Sequence, residues 1–536
     1  MKKVALISVF NKEGIVEFAK FLSQRGYDIY ASGGTAKALS DAGVENTDIA
    51  NLIGGGAILG HKVVTLAREI HAGLLADPKT DKEEMEKLGI PFIDLVCVDF
   101  YPLSQAIKET PEEEKILEKT DMGGPAMISS GAKGRRIVIC DPTDRKKVME
   151  WISAGEPDRE KFIRKLCAKA DFTVANYRLL SANFHSGGKY SGGLGESIQA
   201  LRYGENAYQN PSSLFVSDFS DPLAISNFKI HAGNPSFINI TDIDRLLQTI
   251  THLSAGLDFL GEKKKKMGVA VKHGNPCGAS FGDDAEEVVK KIIDGNRRSI
   301  FGGAVMLNFQ VDEDIAEILV RYGMDEERRR PLDVVVAPMI NEDAMTILKR
   351  QNDRCLIVTN SALENLSKES LNKNILHRGV RGGWLEQPNY NFIFDFNHPE
   401  LKTYGALSGV NILEVNSDTI LAWAVCATSN SNTITLAKEK MLIANGVGQQ
   451  DRVGAVELAL KIAKQADHDV EGAIAVSDSF FPFPDAPRLL KDAGVKRILA
   501  TSGSVNDKAT IELFKDSKDC ELLHIPDKVG RAFFGH

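Results

Sequence analysis

Apolar runs of strand length alternate with amphipathic stretches along the first part of the chain. Residues 4–9 form an apolar run, and residues 13–25 then place apolar side chains at positions 15, 18, 19 and 22, on one face of a helix. A second apolar run at 28–31 leads into a glycine turn and another helical pattern. The alternation continues with strands at 92–100 and 136–140 and helices at 142–154 and 162–184. This order predicts a parallel sheet covered by helices.

Residues 186–193 are rich in glycine and serine, which is typical of a linker. We therefore expect a first domain over residues 1–195 and a second over residues 196–536. Both are predicted to belong to the α/β class, since strand and helix patterns continue to alternate beyond the linker.

The second domain contains an apolar strand, 269–271, that runs into Lys272 and His273. The following Gly-Asn-Pro-Cys-Gly segment, 274–278, is expected to be a turn that ends the strand at its carboxyl edge. A similar arrangement at 474–485 predicts a duplicated α/β unit. The two similar subdomains are expected to divide near residue 365.

Composition narrows the class of protein. The chain has 536 residues, of which 43% are hydrophobic and 26% charged, as in an ordinary globular protein. Its net charge of −8 gives no overall attraction for nucleic acid or an anionic membrane, so the short basic runs 263–266 and 328–330 are interpreted as solvated surface. We find no apolar stretch of membrane-spanning length and no signal-peptide pattern at the start.

The cysteines indicate a reducing compartment. There are seven, an odd number, and no Cys-x-x-Cys pair occurs. Neither a disulfide framework nor a structural zinc site is indicated, and we expect a cytoplasmic protein. A zinc-deaminase interpretation of His273 with Cys277 lacks the paired cysteines and the glutamate that this chemistry needs, so no metal is expected.

Lys272 and His273 are the first candidates for chemistry. Ligands of open α/β sheets bind at the carboxyl ends of the strands, where these two residues are expected. An ammonium group there can stabilise developing negative charge, and an imidazole can transfer a proton. The alternative is a surface lysine beside a capping histidine, and these residues alone leave both interpretations open.

Two further segments indicate phosphate or nucleotide binding. Ser32, Gly33, Gly34 and Thr35 join a strand to a helix start, where backbone N–H groups converge on an anion. Arg202, Tyr203 and Gly204 follow the linker and combine a cation with a phenol around a glycine. Each segment has an ordinary alternative, a tight turn in the first case and a plain loop in the second.

Taken in order, these motifs resemble the bifunctional purine-biosynthesis family that joins AICAR formyltransferase to IMP cyclohydrolase. The family's Lys-His-x-Asn-Pro-Cys-Gly signature is matched by Lys272, His273 and residues 275–278, and its Arg-Tyr-Gly-x-Asn start by 202–206. The resemblance runs along nearly the whole chain. Further family ligand positions fall on Asn239, Phe301, Gly302, Asp333, Asn432, Arg452, Phe480, Asp485 and Arg531.

The resemblance implies a methylglyoxal-synthase-like first domain. It implies that two cytidine-deaminase-like α/β subdomains without zinc follow, in a homodimer. The substrates would be small molecules, a nucleotide and a folate, with 10-formyltetrahydrofolate as one-carbon donor. It implies no catalytic metal and leaves open a structural potassium ion.

Residue roles also follow from the resemblance. His273 would be the base or proton shuttle, Lys272 the oxyanion partner and Asn432 an orienting group. Arg202 and Arg531 would hold the nucleotide phosphate. For cyclisation, Tyr101, Asp121 and Lys133 would fold the substrate and stabilise charge, because ring closure is intramolecular. Substrate-binding positions in the first domain are Ser8, Lys12, Ser32, Gly33, Gly34, Thr35, Lys62 and Thr65.

One departure from the family concerns the cyclohydrolase. Where the family has Arg-Val-Lys-Thr-Leu-His-Pro, this chain has Lys62 to Arg68, so that Val64 replaces a lysine. Valine can neither donate a proton nor balance charge, although Lys62 or Arg68 could compensate. Two alternatives to a two-activity enzyme remain open, a transformylase with a degenerate first domain and a regulatory protein that only binds purine intermediates.

Overall fold

The computed structural model describes residues 2–59, 63–325, 328–351 and 354–535. The chain forms two compact units, Met1–Leu194 and Gly195–His536.

The first unit is a five-stranded sheet in the order β3-β2-β1-β4-β5, with every neighbouring pair parallel. Its strands are β1 (Lys3–Ser8), β2 (Tyr27–Ala31), β3 (Thr47–Asp48), β4 (Leu95–Val98) and β5 (Ile137–Ile139). Its helices are α1 (Ile15–Gln24), α2 (Gly33–Asp41), α3 (Arg68–Leu75), α4 (Lys82–Leu88), α5 (Leu103–Glu109), α6 (Glu113–Glu118), α7 (Gly123–Lys133), α8 (Asp144–Ser153) and α9 (Arg159–His185).

Alternate residues of β1 enter two different cores. Ala5 and Ile7 belong to one hydrophobic cluster, whereas Val4 and Leu6 belong to another. A strand buried on both faces reads as a continuous apolar run, and this is why the sequence shows no polar alternation there. The predicted parallel sheet covered by helices is confirmed.

The second unit is built around a twelve-stranded mixed sheet. Its strands, which include two separate two-stranded ribbons, are β6 (Glu196–Leu201), β7 (Ser212–Val216), β8 (Lys229–Ala232), β9 (Lys266–Lys272), β10 (Asn275–Gly282), β11 (Ala304–Leu307), β12 (Val334–Ala337), β13 (Leu356–Thr359), β14 (Leu376–Val380), β15 (Gly383–Gln387), β16 (Lys402–Gly405), β17 (Ile434–Lys438), β18 (Met441–Gly446), β19 (Ile474–Ser477), β20 (Arg497–Ser502) and β21 (Glu521–Pro526). Its helices are α10 (Phe237–Phe259), α11 (Ala285–Gly295), α12 (Glu313–Arg321), α13 (Glu342–Leu348), α14 (Ile412–Cys426), α15 (Arg452–Gln465), α16 (Asp485–Asp492), α17 (Asp507–Glu512) and α18 (Asp527–Gly530).

The twelve strands consist of two halves with the same topology. One half runs β10-β9-β11-β12-β13-β8, and the other runs β18-β17-β19-β20-β21-β16. In each half a hairpin is followed by an antiparallel neighbour, two parallel pairings and an antiparallel edge strand. The halves meet where β10 pairs antiparallel with β18.

We predicted the repeat from the similarity between 269–278 and 474–485, but these two segments are not equivalent in the two halves. Residues 269–278 belong to the β9–β10 hairpin, whose topological equivalent is the β17–β18 hairpin. Residues 474–485 instead contain β19, which is equivalent to β11. Both segments carry an apolar strand followed by polar residues, and that pattern alone does not distinguish one strand of a repeat from another.

The prediction that 274–278 is a strand-ending turn is also wrong. The turn consists of His273 and Gly274 alone, with φ values of 52° and 70°, and β10 starts at Asn275. Positive φ at both central residues is the requirement of the two-residue turns that match the twist of a hairpin. Pro276 is accommodated inside β10 because the register shifts at a bulge between Pro276 and Gly278.

Candidate functional site

In the first unit, polar side chains gather at the carboxyl ends of β1 and β2. The hydroxyl oxygens of Ser8 and Ser32 lie 2.6 Å apart. Thr35 Oγ1 accepts from the N–H of Val9 at 3.2 Å and lies the same distance from the Val9 carbonyl oxygen. These contacts fix the start of α2, whose N-terminal N–H groups can receive an anion.

Lys12 lies beside this cluster. Its ammonium donates to the carbonyl oxygens of Val9 and Phe10. Burial lowers the pKa of Lys12, while the nearby Asp99 acts in the opposite direction. The structure thus brings Ser8, Lys12, Ser32 and Thr35 together around one strand end.

Asp99 is a site residue that the sequence interpretation missed. Its carboxylate accepts from the N–H groups of Phe10 and Asn11, and it pairs with Arg145 at 3.0 Å. Burial raises the pKa of Asp99, although these N–H groups and Arg145 oppose the shift. An acid directly after a buried strand was the available signal, but its arginine partner lies on α8, far along the chain.

Tyr101 and Asp121 meet at the same edge of the sheet. The Tyr101 ring packs edge-on against Phe10, with centroids 5.4 Å apart. Asp121 accepts from the N–H of Gly124 at 2.8 Å and also from the backbone of Tyr101. Burial raises the pKa of Asp121, and the N–H donors partly offset the shift. A buried carboxyl with a raised pKa is suited to proton transfer.

Thr65 belongs to this group too. A Cβ on Gly123 would lie 2.3 Å from Thr65 Oγ1, so the threonine packs directly on the start of α7. Only glycine allows this approach, which explains the glycine that follows Asp121 and Met122. Thr65 is buried.

Lys133 is not brought to this group. It is the last residue of α7, and a rise of 1.5 Å per residue places it about 15 Å along the axis from Gly123. Because β5 starts only four residues later, Lys133 lies at the amino edge of the sheet, opposite Ser8 and Asp121. The family resemblance implied a shared site, but α7 carries the lysine away from it.

The segment 62–68, which departs from the family, has a valine and no cation at position 64. Val64 packs against the hydrophobic cluster that contains Leu74 and Val96. Arg68, one suggested substitute, starts α3 and pairs with the neighbouring Glu69 at 3.1 Å, with its side chain largely exposed. Lys62, the other, lies outside the described residues.

In the second unit, the β9–β10 turn presents Lys272 and His273. Lys272 Nζ donates to the Phe301 carbonyl oxygen at 2.6 Å, and the His273 side chain is exposed. Asp242 Oδ1, on α10, accepts from the N–H of Gly274 at 2.9 Å. The turn that carries both candidate residues is thereby anchored to a buried carboxylate.

Asp242 was not predicted from the sequence. Burial raises its pKa, the Gly274 N–H and the charge of His273 oppose the shift, and Asp333 adds to it. His273 and Asp333 therefore lie close enough to act electrostatically on the same carboxyl group. Cys277, just beyond the turn, is a thiol whose pKa burial raises to about 12.

Asp242 has a counterpart in the other half of the sheet. Asp418, on α14, accepts from the N–H groups of Glu439 and Lys440 at 3.0 and 2.6 Å. These two residues form the β17–β18 turn and also have positive φ, 53° and 61°. The same device thus supports both hairpins, but only one turn carries an imidazole.

Phe301, Gly302 and Asp333 lie next to Lys272. The Gly302 N–H donates to the Pro331 carbonyl oxygen at 2.8 Å, and the Asp333 N–H donates to the Gly303 carbonyl oxygen at 2.9 Å. Gly302 has a φ of 73°, which favours glycine. The Phe301 ring is half exposed and is open to contact with a flat ligand.

Arg202, Tyr203 and Gly204 lie against the start of α10. The Arg202 N–H donates to the Pro235 carbonyl oxygen at 3.0 Å, and the Tyr203 carbonyl oxygen accepts from the Phe237 N–H at 3.3 Å. The guanidinium group of Arg202 is exposed and lies over the Tyr203 ring.

Asn239 connects this segment to the hairpin anchor. Ser236 caps α10 by accepting from the Asn239 N–H, and the side-chain oxygen of Asn239 accepts in turn from the backbone N–H and the hydroxyl of Ser236. Asp242 follows one turn later on the same face of the helix.

Asn432 and Arg452 belong to the other half. The backbone N–H and the side-chain amide of Asn432 both donate to the Gln449 carbonyl oxygen. Arg452 pairs with Asp478, and both side chains are buried. The charge of Arg452 is therefore neutralised by Asp478, and little of its side chain is open to a ligand.

A hydrogen bond links the two halves near these residues. Asn275 Oδ1, in the first residue of β10, accepts from the Asn430 N–H at 3.3 Å. The segment that carries Asn432 thus starts two residues from a contact with the His273 hairpin.

Arg531 and Ser479, the neighbour of Phe480 in the chain, both bind Asp527. Arg531 pairs with Asp527, which also accepts from the hydroxyls of Ser479 and Thr501. Asp485 starts α16 and caps its own neighbour Ala486. No described hydrogen bond joins Asp485 to the other candidate residues.

No three His, Cys, Asp or Glu side chains among the described residues form a group that could hold a metal ion. None of the described helices is both long and apolar enough to cross a membrane.

The raised pKa of Asp121 gives a prediction about stability. When a carboxyl has a higher pKa in the folded than in the unfolded chain, the folded state loses stability as the pH rises through the interval between these two pKa values. We expect Asp121→Asn to raise the free energy of unfolding by about 1 kcal/mol at pH 7, with a gain that shrinks as the pH approaches the ordinary aspartate value. Urea unfolding at several pH values measures this. Asp41→Asn, at an exposed helix end, is the control, and a gain that does not depend on pH would contradict the prediction.

Comparison with known proteins agrees with this arrangement. The family model of the AICARFT/IMPCHase bienzyme matches residues 133–462, and that of the MGS-like domain matches residues 14–126. The solved structure "Crystal structure of ForH" aligns with 35% of this chain and 100% of its own at 30% identity, but its TM-score of 0.31 is too low to carry a structural comparison.

Curated relatives match along almost the full length. Proteins named bifunctional purine biosynthesis protein PurH from Caldicellulosiruptor saccharolyticus, Caldicellulosiruptor bescii and Oceanobacillus iheyensis are 33%, 34% and 32% identical to it, each over 96% of both chains. With a family match over more than half of its residues and relatives of this coverage, the chain belongs to the AICARFT/IMPCHase bienzyme family.

Proposed function

We propose that this chain makes IMP in two steps of de novo purine biosynthesis. Its second unit transfers a formyl group from 10-formyltetrahydrofolate to AICAR, and its first unit closes the product to IMP with loss of water. The observation that carries the proposal is the hairpin turn that presents Lys272 and His273 from a strand end, anchored by Asp242. The relatives, which match over 96% of the chain, support the proposal.

Formyl transfer needs a base and a partner for negative charge. The AICAR amine is a poor nucleophile because its lone pair is conjugated with the ring that carries the carboxamide. His273 takes the proton as the nitrogen attacks the formyl carbon, and the proton passes to the folate nitrogen as its bond to that carbon breaks. Lys272 stabilises the oxyanion that forms between these two events.

Nucleotide binding is assigned to the surrounding residues. Arg202, which is exposed, and Arg531 receive the phosphate, and Tyr203, Gly204, Asn239 and Asp333 contact the nucleotide. Asn432 orients the reacting groups, while Phe301, Gly302, Phe480 and Asp485 contact the folate. Because Arg452 is buried against Asp478, we assign it the role of positioning the segment around Asn432.

Cyclisation is assigned to the first unit. Ser8, Lys12, Ser32 and Thr35, with the N–H groups of Gly33 and Gly34, hold the phosphate, and Thr65 lies beside the bound ring. Tyr101 and Asp121 act on the closing ring. Since the reaction is intramolecular, positioning supplies much of the acceleration. This account requires neither a cation at position 64 nor Lys133.

The assembly and the compartment are also proposed. The β14–β15 ribbon exposes Val380 and Leu385 on one face and Trp384 on the other, and a second copy of the chain would cover these apolar side chains in a homodimer. All seven cysteines are free thiols, which supports a reducing cytoplasm.

A single incubation tests the proposal. Purified protein is mixed with AICAR and 10-formyltetrahydrofolate, and folate consumption, formyl-AICAR and IMP are measured. We expect folate to be consumed and IMP to appear. Accumulation of formyl-AICAR without IMP would restrict the function to transformylation, which the valine at position 64 and the remote Lys133 would then explain. No consumption of folate would contradict the proposal.

His273→Ala tests the assigned base. We expect formyl transfer to fall by at least 10²-fold, the typical contribution of a general base, while AICAR binding changes little. Turnover is measured with the folate assay and binding by calorimetry. The variant should still cyclise added formyl-AICAR, since that site lies in the other unit. Near-normal formyl transfer would remove His273 from the mechanism.

Asp242→Ala tests the anchoring of the turn, with Asp418→Ala as a matched control. Each substitution removes one buried carboxylate that caps a hairpin turn, so we expect similar changes in the free energy of unfolding. Only Asp242→Ala should lower the formyl-transfer turnover number, by about tenfold, with a KM for AICAR within about threefold of the wild type, since it loosens the turn that carries His273. Asp242→Asn, which keeps an acceptor oxygen, should restore most of the turnover. Equal losses in the two alanine variants would show a general effect on folding.

A further inference from the structure

Ring closure places negative charge on an oxygen atom. The carboxamide nitrogen adds to the formyl carbon, the π bond of the formyl group opens, and its electron pair moves to the formyl oxygen. The attacking nitrogen loses a proton and the oxygen gains one. Water then leaves as the second nitrogen gives up its proton and forms a double bond to the same carbon. A cation beside the formyl oxygen lowers the barrier to the addition, because it acts where charge develops.

Three cations close to the first-unit site are held by other acceptors. The ammonium of Lys12 donates to two backbone carbonyl oxygens of the β1–α1 connection, on the side assigned to the phosphate. Arg145 pairs with Asp99 at 3.0 Å, and both side chains are largely buried. Arg68 pairs with Glu69 at 3.1 Å. The positive charge for ring closure is therefore sought elsewhere along the same edge of the sheet.

Lys119 lies beside the Tyr101 ring. Its ammonium is 5.9 Å from the ring centroid, and its side chain is exposed. At an exposed site such a contact contributes only about 0.5–1 kcal/mol, so the flexible lysine side chain can leave the ring for a bound ligand. The Tyr101 ring is itself 45% exposed and lies edge-on to Phe10. The ammonium thus stands next to a ring that is open to the substrate.

A single phenol ties the backbone of Lys119 to that of Asp121. The Tyr177 hydroxyl donates to the Lys119 carbonyl oxygen at 3.4 Å and accepts from the Asp121 N–H at 2.6 Å. Tyr177 is buried on α9, and its ring packs edge-on against Phe100 with centroids 5.0 Å apart. Asp121 in turn accepts from the backbone of Tyr101. Lys119, Asp121 and Tyr101 are therefore held as one group around a buried residue.

Arg178, the residue after Tyr177 on α9, is the competing candidate. It donates to the sulfur of Met122 at 3.3 Å, and its charge opposes the raised pKa of Asp121. Its side chain is partly buried, whereas that of Lys119 is exposed. Because Arg178 already acts on a carboxyl group, we favour Lys119 as the cation that meets the substrate.

We propose that Lys119 is a catalytic residue of ring closure, whose ammonium contacts the formyl oxygen as the oxyanion forms. This inference rests on the proposed function of the first unit. Lys119 adds the positive charge that Val64 does not provide, beside the two residues already assigned to the closing ring. Since the charge is needed during the addition, it raises the turnover number more than it strengthens the binding of formyl-AICAR.

Direct supply of formyl-AICAR to the full-length protein tests this role, with IMP formation as the measurement. We expect Lys119→Gln to lower the turnover number by roughly tenfold or more, while the KM for formyl-AICAR stays within about threefold of the wild type. An oxyanion donor in an enclosed site contributes about 10²–10³-fold, and water around an exposed lysine weakens the effect. Lys119→Arg keeps the charge and should retain more of the turnover than Lys119→Gln.

Two further variants serve as controls. Lys115→Gln, one turn earlier on α6 and also exposed, removes the same charge and should leave cyclisation unchanged. Arg178→Gln tests the competing cation and should lower the turnover number less than Lys119→Gln. Thermal unfolding checks that each variant is folded, and folate consumption should stay normal because formyl transfer is assigned to the other unit.

The outcomes separate this inference from the proposed function. If the wild-type protein forms no IMP from formyl-AICAR, the proposed cyclisation fails, and the role of Lys119 fails with it. If the wild type forms IMP but Lys119→Gln turns over normally or changes only the KM, the inference alone is overturned. An equal loss in Lys115→Gln or Lys119→Arg, or a larger loss in Arg178→Gln, would also overturn it.

Discussion

A buried carboxylate that caps a two-residue turn is the interaction on which the second unit depends. Asp242 accepts from the backbone of the turn that carries His273, and Asp418 does the same for the equivalent turn. In each case a helix that crosses the sheet supplies the acceptor, so the position of the hairpin tip is set by the helix as well as by the sheet. A carboxylate that accepts backbone N–H bonds away from water holds geometry tightly, because loss of either partner leaves a polar group unsatisfied.

In the first unit, a carboxylate likewise holds the backbone at the edge of the sheet. Asp99 is held by two N–H groups of the β1–α1 connection and by Arg145 on α8. This carboxylate fixes the backbone of Phe10, whose ring supports Tyr101. Loop residues of the candidate site are thus kept in place by an acid, Asp99, that need not contact a ligand itself. The backbone geometry of the candidate sites in both units is held by aspartates, Asp99 and Asp242, whose burial raises their pKa.

The architecture could be predicted from the sequence because the spacing of apolar residues indicates which positions are buried. The continuous apolar run of β1 and the helical spacing of α1 correspond to the observed cores. The prediction failed at the hairpin, since Gly274, Pro276 and Gly278 together indicate a turn, whereas only Gly274 lies in the turn and a bulge accommodates Pro276 and Gly278 within β10.

The candidate sites were predictable only in part. Motif residues such as Ser32 and Lys272 stand at strand ends, where position along the chain predicts position in the fold. Asp242 lies within a buried helix, and nothing in its neighbourhood indicates that it faces a turn 32 residues away. Lys133 was assigned to the cyclisation site through the family resemblance, whereas ten residues of helix separate it from Gly123, which follows Asp121 and Met122. Partners such as Arg452 and Asp478 are 26 residues apart, and only the folded sheet brings them together.

The pairing of β10 with β18 bears on the origin of the two halves. These strands occupy the same place in the two halves, and Ser280 faces Met441 where they pair antiparallel. A half-length ancestor that paired with a second copy of itself through this strand would form the same continuous sheet, and neither copy would keep an open edge there. In a single polypeptide the two hairpin turns need not be identical, and here one consists of His273 and Gly274 while the other consists of Glu439 and Lys440.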